Sequence, residues 1–357
     1  MPQDDKAFAV VFCVDRNMFL PALVCASEAA RVRGADAYDV VILADSGSIP
    51  AEFTRWHQEQ GNGIRVIEVD FARETAPGLA LSGRLTTAAT FRLCLAEFFR
   101  GQYKRILYLD ADLEVKEPIA DLLALDLHGK PFAATNDLTF SPVDQSGLLL
   151  ARHAFAKREK LGLGPHDRYA NTGVLLIDVE EWQKQSLMTR AAAFLRDFPH
   201  LCDLADQDAL NAVVRGDYPA LSARWNYVAP FLDPYGVDPT FHPAIVHYCG
   251  NPKPWMRRWR GSRAAADRYA RFFRDTPWSK TVLDSELPEP PPKKRSPISH
   301  LAHRIEWFAR QARYRTIGRP RPPKAHRRLV AAYLRSSKFI DIEQGIAPGN
   351  QSGLPLS

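Results

Sequence analysis

The chain of 357 residues contains only five cysteines, and their placement argues against a disulfide framework. Their number is odd, no two stand in a Cys-x-x-Cys pair, and most lie in apolar stretches that read as strands or helices. A small secreted protein held together by disulfides shows even numbers and regular spacings. We therefore expect a reducing compartment around these residues, which are Cys13, Cys25, Cys94, Cys202 and Cys249.

Long hydrophobic segments are also missing. No uninterrupted apolar run approaches the roughly 20 residues that a helix needs to span a bilayer. Residues 1–6 do not lead from a basic segment into a long apolar one. We therefore expect a protein that is neither secreted nor integral to a membrane, located in the cytoplasm, with peripheral attachment to the inner face of the cell membrane as a further hypothesis.

The sequence lacks a glycine-rich phosphate loop of either the P-loop or the dinucleotide-binding type, and it has no internal repeat. These absences count against an ATPase and against a dehydrogenase. What the chain does contain is a hydrophobic fraction of 46%, which is enough to bury the core of a large α/β domain.

Strand-like and helix-like patterns alternate along the chain from residue 7 to residue 248. Apolar runs predict strands, and apolar positions at helical spacing between them predict helices. This alternation is typical of a doubly wound α/β fold with a mostly parallel sheet. The predicted strands are 7–14, 40–44, 64–69, 105–109, 132–135, 172–178 and 244–248, and the main predicted helices are 18–33, 51–60, 86–99 and 180–198, the first capped by Asn17.

The fourth predicted strand ends in two carboxylates one residue apart, Asp110 and Asp112. Side chains two positions apart in extended backbone project to the same side, and ligands of open α/β sheets bind at the carboxyl edge. Carboxylate oxygens hold Mg²⁺ or Mn²⁺ against phosphate oxygens. The pair therefore predicts a site for a metal ion and a diphosphate, although two aspartates in a solvated turn would look the same.

Three motifs follow predicted strands and make the pattern specific. They are Leu-Asp-Ala-Asp at 109–112, Asn-Thr-Gly-Val-Leu-Leu at 171–176 and His-Tyr-Cys-Gly-x-x-Lys-Pro-Trp at 247–255. With these motifs in this order, the chain from about residue 7 to residue 260 resembles glycosyltransferase family 8. The resemblance implies a GT-A fold, which is a Rossmann-like, mostly parallel central sheet flanked by helices, and sugar transfer with retention of configuration.

The resemblance also implies roles for individual residues. It implies a site for Mn²⁺ or Mg²⁺ made of Asp110, Asp112 and His247. It assigns the donor, UDP-galactose or UDP-glucose, to Asp15, Asn17, Arg92, Asp137, Asn171 and Gly250, with Arg84 as a weaker candidate. It assigns catalysis to Asp206, Gln207 and Lys253, with Gln207 facing the anomeric carbon.

Simpler roles compete with several of these assignments. Asp15 and Asn17 could cap the following helix, and His247 could be a satisfied core residue of its apolar strand. Many relatives carry a tyrosine directly after the asparagine, where it stacks on the base, but this chain has Met18. Phe19 is then either a substitute for that tyrosine or an ordinary core residue.

The course of the reaction follows from which side chains are present. No Asp or Glu stands out as the nucleophile of a double displacement, which counts against a two-carboxylate glycosidase scheme. The favoured course is front-face attack by the acceptor hydroxyl on an oxocarbenium-like centre. Lys253 and the metal ion would stabilise the leaving UDP, and Gln207 would ease positive charge through its carbonyl oxygen. A covalent route through Gln207 is the minor alternative.

The positive charge of the chain is concentrated near its C-terminus. Residues 293–338 carry 14 Lys and Arg against a single acid, within a net charge of +6 for the whole chain. Apolar positions of 298–312 lie on one face of a predicted basic helix, which favours an anionic membrane surface as partner. Nucleic acid is not expected, because no binding fold accompanies the charge, and a solvated charge run is the alternative. The predicted divisions are a nucleotide-sugar domain 1–283, a Pro-rich linker 284–297 and a basic, partly helical tail 298–357.

These observations predict a metal-dependent retaining glycosyltransferase. It would transfer galactose or glucose from UDP to a saccharide or glycolipid acceptor during assembly of lipopolysaccharide or another surface polysaccharide. One alternative is a nucleotidyltransferase that uses the same aspartate pair, against which the missing glycine-rich N-terminal loop counts. The other is a non-catalytic binding protein that acts through its basic tail, which the intact set of carboxylates and histidine disfavours.

Overall fold

The computed structural model describes residues 7–34, 38–75, 87–140, 149–164, 166–233 and 241–279, together with 330, 333–335, 340–341 and 343–344. The strands assigned there are β1 (Phe8–Val14), β2 (Asp39–Asp45), β3 (Ile64–Val69), β4 (Arg105–Leu109), β5 (Leu113–Val115), β6 (Phe132–Asn136), β7 (Ala170–Asp178), β8 (Ala220–Leu221), β9 (Tyr227–Val228) and β10 (Ile245–His247). Each predicted strand is present, with ends that agree to within two residues.

Seven of the strands form one sheet in the order β3-β2-β1-β4-β7-β6-β8. The strands β3, β2, β1 and β4 pair in parallel, β7 is antiparallel to both β4 and β6, and β8 is parallel to β6. The sheet is therefore mostly parallel, as predicted, with β7 as the reversed strand. The carboxyl ends of β1 and β4 consequently lie side by side at one edge, and the amino end of β7 meets them there.

A second sheet has the order β5-β10-β9, and residues 110–112 connect it to β4. The predicted strand 244–248 belongs to this second sheet and not to the main one, because β10 pairs antiparallel with β5 and parallel with β9. In that pairing His247 lies opposite Leu113. The end of β10 is thereby brought to the residue that follows Asp112.

Helices flank the strands. The α-helices are α1 (Phe19–Val32), α2 (Phe53–Gln60), α3 (Phe71–Glu74), α4 (Thr87–Thr90), α5 (Leu95–Phe98), α6 (Ala120–Leu123), α7 (Leu149–Lys160), α8 (Val179–Lys184), α9 (Leu187–Asp197), α10 (Asp206–Val214), α11 (Ala229–Leu232) and α12 (Arg263–Phe273). The 3₁₀ helices are Phe91–Cys94, Leu138–Phe140, Pro199–Leu201 and Ala223–Trp225.

Three helix predictions need correction. The predicted helix 86–99 is divided into α4, a 3₁₀ turn and α5, and the predicted helix 180–198 breaks at Ser186, whose φ is 53°. Asn17 does not cap α1, because the residue at the cap position is Met18 and no side chain caps the helix there. Helical periodicity alone does not set where a helix is capped or broken.

Both faces of the main sheet are covered. In β1, Val10 and Phe12 pack into one apolar cluster together with α1 and α12, whereas Ala9 and Val11 pack into a second cluster with α5, α8 and α9. Burial on both faces explains why the strands are continuous apolar runs, since neither face has to meet water.

Among the described residues, no helix has the length and apolar character needed to cross a bilayer. The predicted linker 284–297 and the predicted amphipathic stretch 298–312 lie outside the described residues. The division of the chain into domain, linker and tail, and the contact of the tail with a membrane, therefore stay predictions.

Candidate active site

The carboxyl end of β4 places two carboxylates at the edge of the main sheet. The backbone N–H of Asp110 donates to the carbonyl oxygen of Gly173 at 2.9 Å, and Asp110 Oδ1 accepts a hydrogen bond from the Tyr108 hydroxyl at 2.6 Å. Asp112 is buried, and its carbonyl oxygen accepts the backbone N–H of Tyr248 at 3.0 Å. Strands from both sheets therefore fix the positions of the two aspartates.

His247 reaches the same point from β10. Its Nε2 lies 3.3 Å from Asp112 Oδ1 and 3.9 Å from Asp110 Oδ2, and the side chain is buried. The ring Nδ1 lies 3.0 Å from Asn226 Oδ1. An Nδ1–H donated to that oxygen leaves the Nε2 lone pair facing the carboxylates, which is the tautomer that binds a metal.

The three residues fit a divalent cation. The ligand atoms of Asp110, Asp112 and His247 all lie within 4.8 Å of one another, and two carboxylates with one imidazole form a suitable donor set. Gly173 of β7 packs directly against the cluster, since a Cβ there would lie 2.4 Å from His247 Cε1 and 3.0 Å from Asp110 Oδ2. Only glycine allows β7 to approach the cluster this closely.

Lys253 adds a positive charge beside the cluster. Its Nζ contacts Asp112 Oδ2 and lies 3.1 Å from the carbonyl oxygen of Tyr248. Burial opposes ionisation of Asp112, but Lys253 and His247 outweigh it and hold the pKa of that carboxyl well below its ordinary value. Gly250, in the same loop, has a φ of 78° and is exposed, so the backbone there is open to a ligand.

Arg92 connects Asp110 to helix α10. Its Nη1 lies 3.2 Å from Asp110 Oδ1 and its Nε lies 3.0 Å from Asp206 Oδ2, while the guanidinium carbon sits 4.7 Å from the centre of the Tyr108 ring. Nη1 also donates to the carbonyl oxygen of Thr172 at 2.8 Å. One buried cation therefore balances two carboxylates that come from separate elements.

Asp206 presents a buried acceptor that no described residue satisfies with a hydrogen bond. Its Oδ2 receives none, because the nearby Arg92 Nε–H is donated to the carbonyl oxygen of Ala89 at 2.7 Å. Burial raises the pKa of Asp206 to about 6, and Arg92 opposes that rise only in part. Ala205, just before it, has a φ of 41°, a strained conformation for a residue other than glycine. An unsatisfied buried acceptor on a strained turn fits a ligand-binding role.

Gln207 is held at both ends of its amide. Its Oε1 accepts the backbone N–H of Thr172 at 3.0 Å, and its Nε2 donates to the Tyr169 hydroxyl at 3.4 Å. Asp208 is fully buried, accepts a hydrogen bond from the same Tyr169 hydroxyl and pairs with Lys157 Nζ at 2.7 Å. The carbonyl oxygen of Gln207 is thus turned toward the backbone of β7.

A chain of hydrogen bonds joins the donor-sugar candidates to the histidine. Asp137 is buried just after β6, and its Oδ2 accepts from Asn171 Nδ2 at 3.0 Å. Asn171 Oδ1 in turn accepts from Asn226 Nδ2 at 2.9 Å, and Asn226 Oδ1 contacts His247. Burial raises the pKa of Asp137, while the hydrogen bond from Asn171 acts in the opposite direction. Asp137 and His247 therefore belong to one connected polar network.

Asp15 and Asn17 lie at the end of β1, next to the end of β4. Asp15 Oδ1 accepts the backbone N–H groups of Asn17 at 2.9 Å and of Met18 at 3.1 Å. The Asn17 side chain is exposed and Asp15 is half-buried. The local turn is made by Asp15, which leaves the Asn17 amide facing solvent.

Two further candidates are Phe19 and Arg84. Phe19 is fully buried and packs edge-on against Phe53 with ring centres 5.0 Å apart, so it is a core residue and does not replace a base-stacking tyrosine. Arg84 lies outside the described residues.

An ion pair supports the second sheet beneath the cluster. Arg268 of α12 donates to the carbonyl oxygen of Leu113 at 2.7 Å, and its Nε lies 2.7 Å from Glu28 Oε1. Glu28 Oε2 accepts the backbone N–H of Val115 at 3.0 Å. Burial raises the pKa of Glu28 to about 7, although Arg268 opposes the rise. Both ends of β5, which follows Asp112, are held by this pair.

Several of these residues escaped the sequence interpretation. Asn226 orients His247 and Tyr108 contacts Asp110, yet neither stands in a motif that marks it. Gly173 could have been found, because a glycine within Asn-Thr-Gly at the start of a strand is a signal of close backbone approach. The other two show only once the strands are paired.

Comparison with known proteins shows the family to which the chain belongs. Residues 9–258 match the profile described as Glycosyl transferase family 8, and the chain belongs to that family. General stress protein A of Bacillus subtilis is 26% identical over 299 residues, which cover 77% of this chain and 96% of that protein. Lipopolysaccharide 1,2-glucosyltransferase of Escherichia coli is 27% identical, over 48% of this chain and about half (49%) of that protein.

Solved structures agree on the fold. The structure of the galactosyltransferase LgtC in complex with donor and acceptor sugar analogs matches with a TM-score of 0.59 at 22% identity, covering 73% of this chain and 95% of that chain. The apo structure of the bifunctional glycosyltransferase WbbM matches with a TM-score of 0.62 at 19% identity, covering 80% of this chain and 52% of that chain. The chain therefore has the GT-A fold that the sequence predicted.

Proposed function

We propose that this glycosyltransferase is metal-dependent and retaining, and that it transfers galactose or glucose from UDP to a saccharide or glycolipid acceptor. The observation that carries the proposal is the convergence of Asp110, Asp112 and His247 from two sheets within a chain of this family. These three residues would hold Mn²⁺ or Mg²⁺, which when bound supplies positive charge to the diphosphate of the donor. Carboxylates with one imidazole favour Mn²⁺ over Mg²⁺.

The donor would lie along the edge formed by β1, β4 and β7. Asp15 and Asn17 at the end of β1 offer acceptor and donor groups for the edge of a uracil ring. Gly250 leaves open backbone for close approach of the diphosphate. Lys253 keeps a cationic ammonium group at the metal cluster, where the negative charge of departing UDP would develop.

The sugar of the donor would lie over α10 and the end of β6. Asp206 Oδ2 is a buried acceptor that a sugar hydroxyl can satisfy, and Arg92 fixes the orientation of this carboxylate. Asp137, held by Asn171, offers a second carboxylate for sugar hydroxyls. Gln207 of α10 would lie beside the same sugar, with its amide oriented by Thr172.

Retention of configuration would follow from attack on the face from which UDP leaves. Gln207 is an amide, which is a poor nucleophile, and its oxygen is already engaged by the backbone of Thr172. That bond favours a role in orienting the sugar and balancing charge over a covalent route. Asp208 is fully buried and paired with Lys157, which leaves it unsuited to attack the sugar directly.

The acceptor would be a glycan in the assembly of lipopolysaccharide or another surface polysaccharide. The names of relatives such as lipopolysaccharide 1,2-glucosyltransferase and lipopolysaccharide 1,3-galactosyltransferase support this class. The predicted partner of the basic tail, an anionic membrane surface, suits an acceptor carried on lipid. The enzyme would then work in the cytoplasm, at the inner face of the cell membrane, without binding nucleic acid.

The test is UDP release by the purified full-length chain from UDP-galactose, UDP-glucose and UDP-N-acetylglucosamine, each with Mn²⁺, with Mg²⁺ and with a chelator. We expect release that depends on the metal ion and that is fastest with one of the two hexose donors. Asp217→Asn serves as the control variant, because Asp217 is an exposed partner of Lys130, which precedes the amino end of β6, whereas the cluster follows the carboxyl end of β4.

Three outcomes would contradict the proposal. Equal release in chelator would remove the metal dependence, and a preference for UDP-N-acetylglucosamine would remove the hexose assignment. Absence of both release and UDP binding would favour a non-catalytic protein that acts through its basic tail. A further assay supplies a nucleoside triphosphate and a sugar phosphate. Release of diphosphate in that assay would identify the protein as a nucleotidyltransferase and not as a glycosyltransferase.

A further inference from the structure

A short piece of the basic C-terminal region packs onto the body of the enzyme. Val330, Tyr333 and Leu334 are 3%, 7% and 4% exposed, and they belong to one apolar cluster with side chains of the second sheet, including Tyr227 and Val246. Tyr227 follows the asparagine that orients His247, and Val246 precedes His247 itself. Residues 330–344 lie beyond the part of the chain that matches the family, which ends at residue 258.

Three hydrogen bonds fix this piece in place, each between residues more than 100 positions apart. The Tyr333 hydroxyl donates to the carbonyl oxygen of Asn136 at 2.7 Å. The Ser222 hydroxyl donates to Asp341 Oδ2 at 2.8 Å, and Gln344 Nε2 donates to the carbonyl oxygen of Ala220 at 3.0 Å. Ala220 belongs to β8, the edge strand of the main sheet, so the piece covers backbone that would otherwise stay unpaired.

The hydrogen bond from Tyr333 is made to the residue directly before Asp137. Asn136 is the last residue of β6, and the next residue is Asp137, the candidate contact for the donor sugar. The side chain of Asn136 is held as well, because its Oδ1 accepts from the Tyr218 hydroxyl at 2.8 Å. The carbonyl of the peptide between Asn136 and Asp137 is held by Tyr333, and its N–H donates to the carbonyl oxygen of Tyr169 at 2.8 Å. The peptide is therefore held at both its oxygen and its nitrogen, and the start of the Asp137 side chain is held with it.

We propose that Tyr333 is a positioning residue of the donor-sugar site: its hydroxyl holds the Asn136 carbonyl, and thereby sets the direction from which Asp137 meets the hexose. The inference rests on the proposed function, because it takes Asp137 as a contact of the sugar. It predicts that part of the basic C-terminal region belongs to the catalytic site. It also predicts that Tyr333 acts on the sugar half of the donor and leaves the nucleotide half unaffected.

The experiment compares the binding of UDP-galactose, UDP-glucose and UDP alone, each with Mn²⁺, to the full-length chain by calorimetry. In Tyr333→Phe, we expect the dissociation constant of the preferred UDP-hexose to rise about fivefold, which is the effect of losing one hydrogen bond. The dissociation constant of UDP should stay within twofold of wild type. Tyr218→Phe, which frees the other end of Asn136, should weaken UDP-hexose binding in the same direction.

Tyr38→Phe is the matched control. Tyr38 is buried, and its hydroxyl also donates to a backbone carbonyl, that of Ala29 at 2.8 Å, but it lies between α1 and β2. We expect this variant to lower the melting temperature without changing the ratio of UDP-hexose to UDP affinity. A merely structural role for Tyr333 would give the same result as Tyr38→Phe, and that result would overturn the inference.

The two proposals fail in distinguishable ways. If the wild-type chain binds UDP-hexose but Tyr333→Phe keeps the ratio of UDP-hexose to UDP affinity, only the positioning role is refuted. If the wild-type chain binds neither UDP-hexose, the proposed function is refuted and the role of Tyr333 with it. Weaker binding of UDP and UDP-hexose by the same factor would also refute the inference, because it would place the effect outside the sugar half.

Discussion

The two sides of the candidate site are built in different ways. On one side, at the end of β1, the Asp15 side chain bonds the backbone N–H groups of two nearby residues, Asn17 and Met18, and Asn17 is exposed. On the other side, Asp110, Asp112 and His247 converge from two sheets and are held by buried partners. We call the first the nucleotide side and the second the metal side. The first is a local turn, and the second exists only when distant strands pair.

The difference shows which part of the site needs other parts of the fold to stabilise it. A local turn needs no contacts with distant residues, so its residues stay near water and their charges are screened. Charges that converge in the interior must be paired, because an isolated buried charge is strongly unfavourable. Arg92 and Lys253 provide that pairing on the metal side. Substitutions on the two sides should therefore differ in both size and kind.

The largest expected effect is that of Asp112→Asn on turnover. The amide loses the charge that faces His247 and Lys253, so we expect metal-dependent UDP release to fall at least about a hundredfold. The fold should persist, because Asp112 lies at the edge of a sheet and contributes little to the apolar core. Steady-state kinetics and circular dichroism check both parts, with Asp217→Asn as control. A variant with wild-type turnover would remove Asp112 from the metal side.

Arg92→Met should cost stability on the metal side. Its removal leaves the buried carboxylate of Asp206 and the half-buried carboxylate of Asp110 without their cation, so we expect a loss of about 4 kcal/mol in the free energy of unfolding. Urea denaturation measures it. The control is Arg196→Met, which breaks an exposed, solvent-screened pair with Asp197 and should change the free energy of unfolding far less. Equal losses in the two variants would contradict the contrast between buried and exposed charges.

Glu28→Gln should change how stability depends on pH. Burial raises the folded-state pKa of Glu28 to about 7 from an ordinary 4.5, so its contribution is fully present below pH 4.5 and is lost as the pH rises through 7. Relative to Glu28→Gln, the wild type should lose about 3 kcal/mol of unfolding free energy as the pH rises from 4.5 to about 7. Urea titrations of both proteins at several pH values measure the difference. A difference that stays constant with pH would show that Arg268 keeps Glu28 ionised throughout.

The smallest expected effect belongs to the nucleotide side. Asp15→Ala removes two local hydrogen bonds and should cost about 1 kcal/mol of unfolding free energy. If Asp15 also contacts the base, the variant should raise the KM for the UDP-sugar and leave kcat within twofold of wild type. Asn62→Ala is the control, because Asn62 makes a similar local bond to the backbone N–H of Ile64 before β3. An unchanged KM in Asp15→Ala would limit Asp15 to the turn.

The strands and the order of the motifs were predictable from the sequence. Continuous apolar runs bounded by polar segments are typical of strands covered on both faces, and parallel strands bring their carboxyl ends to one edge. That reasoning grouped Asp110 and Asp112 correctly as neighbours at the edge of the sheet. Placing His247 with them depended on the family resemblance, since its strand lies in a second sheet whose pairing no local pattern reveals.

Helix ends and the supporting residues were less predictable. The expected helix 86–99 is interrupted by a 3₁₀ turn around Arg92, whose side chain bonds both the local carbonyl of Ala89 and the distant carbonyl of Thr172. The expected cap Asn17 does not cap α1, and Asp15 instead closes the turn before the helix by accepting the backbone N–H groups of Asn17 and Met18. In each case a tertiary or one-turn contact outweighed a periodicity that several conformations satisfy equally well.

The sequence by itself determined the alternation of strands and helices, the family, and the residue types available for metal and diphosphate chemistry. These features are local, because periodicity and motif spacing are properties of neighbouring residues. Only the tertiary structure decided that Asn226 orients His247, that one buried arginine serves two carboxylates, and that Tyr333 reaches the residue before Asp137. Such contacts join positions up to about 200 residues apart (197 for Tyr333 and Asn136), and they arise only when the strands pair and burial forces each polar group to find a partner.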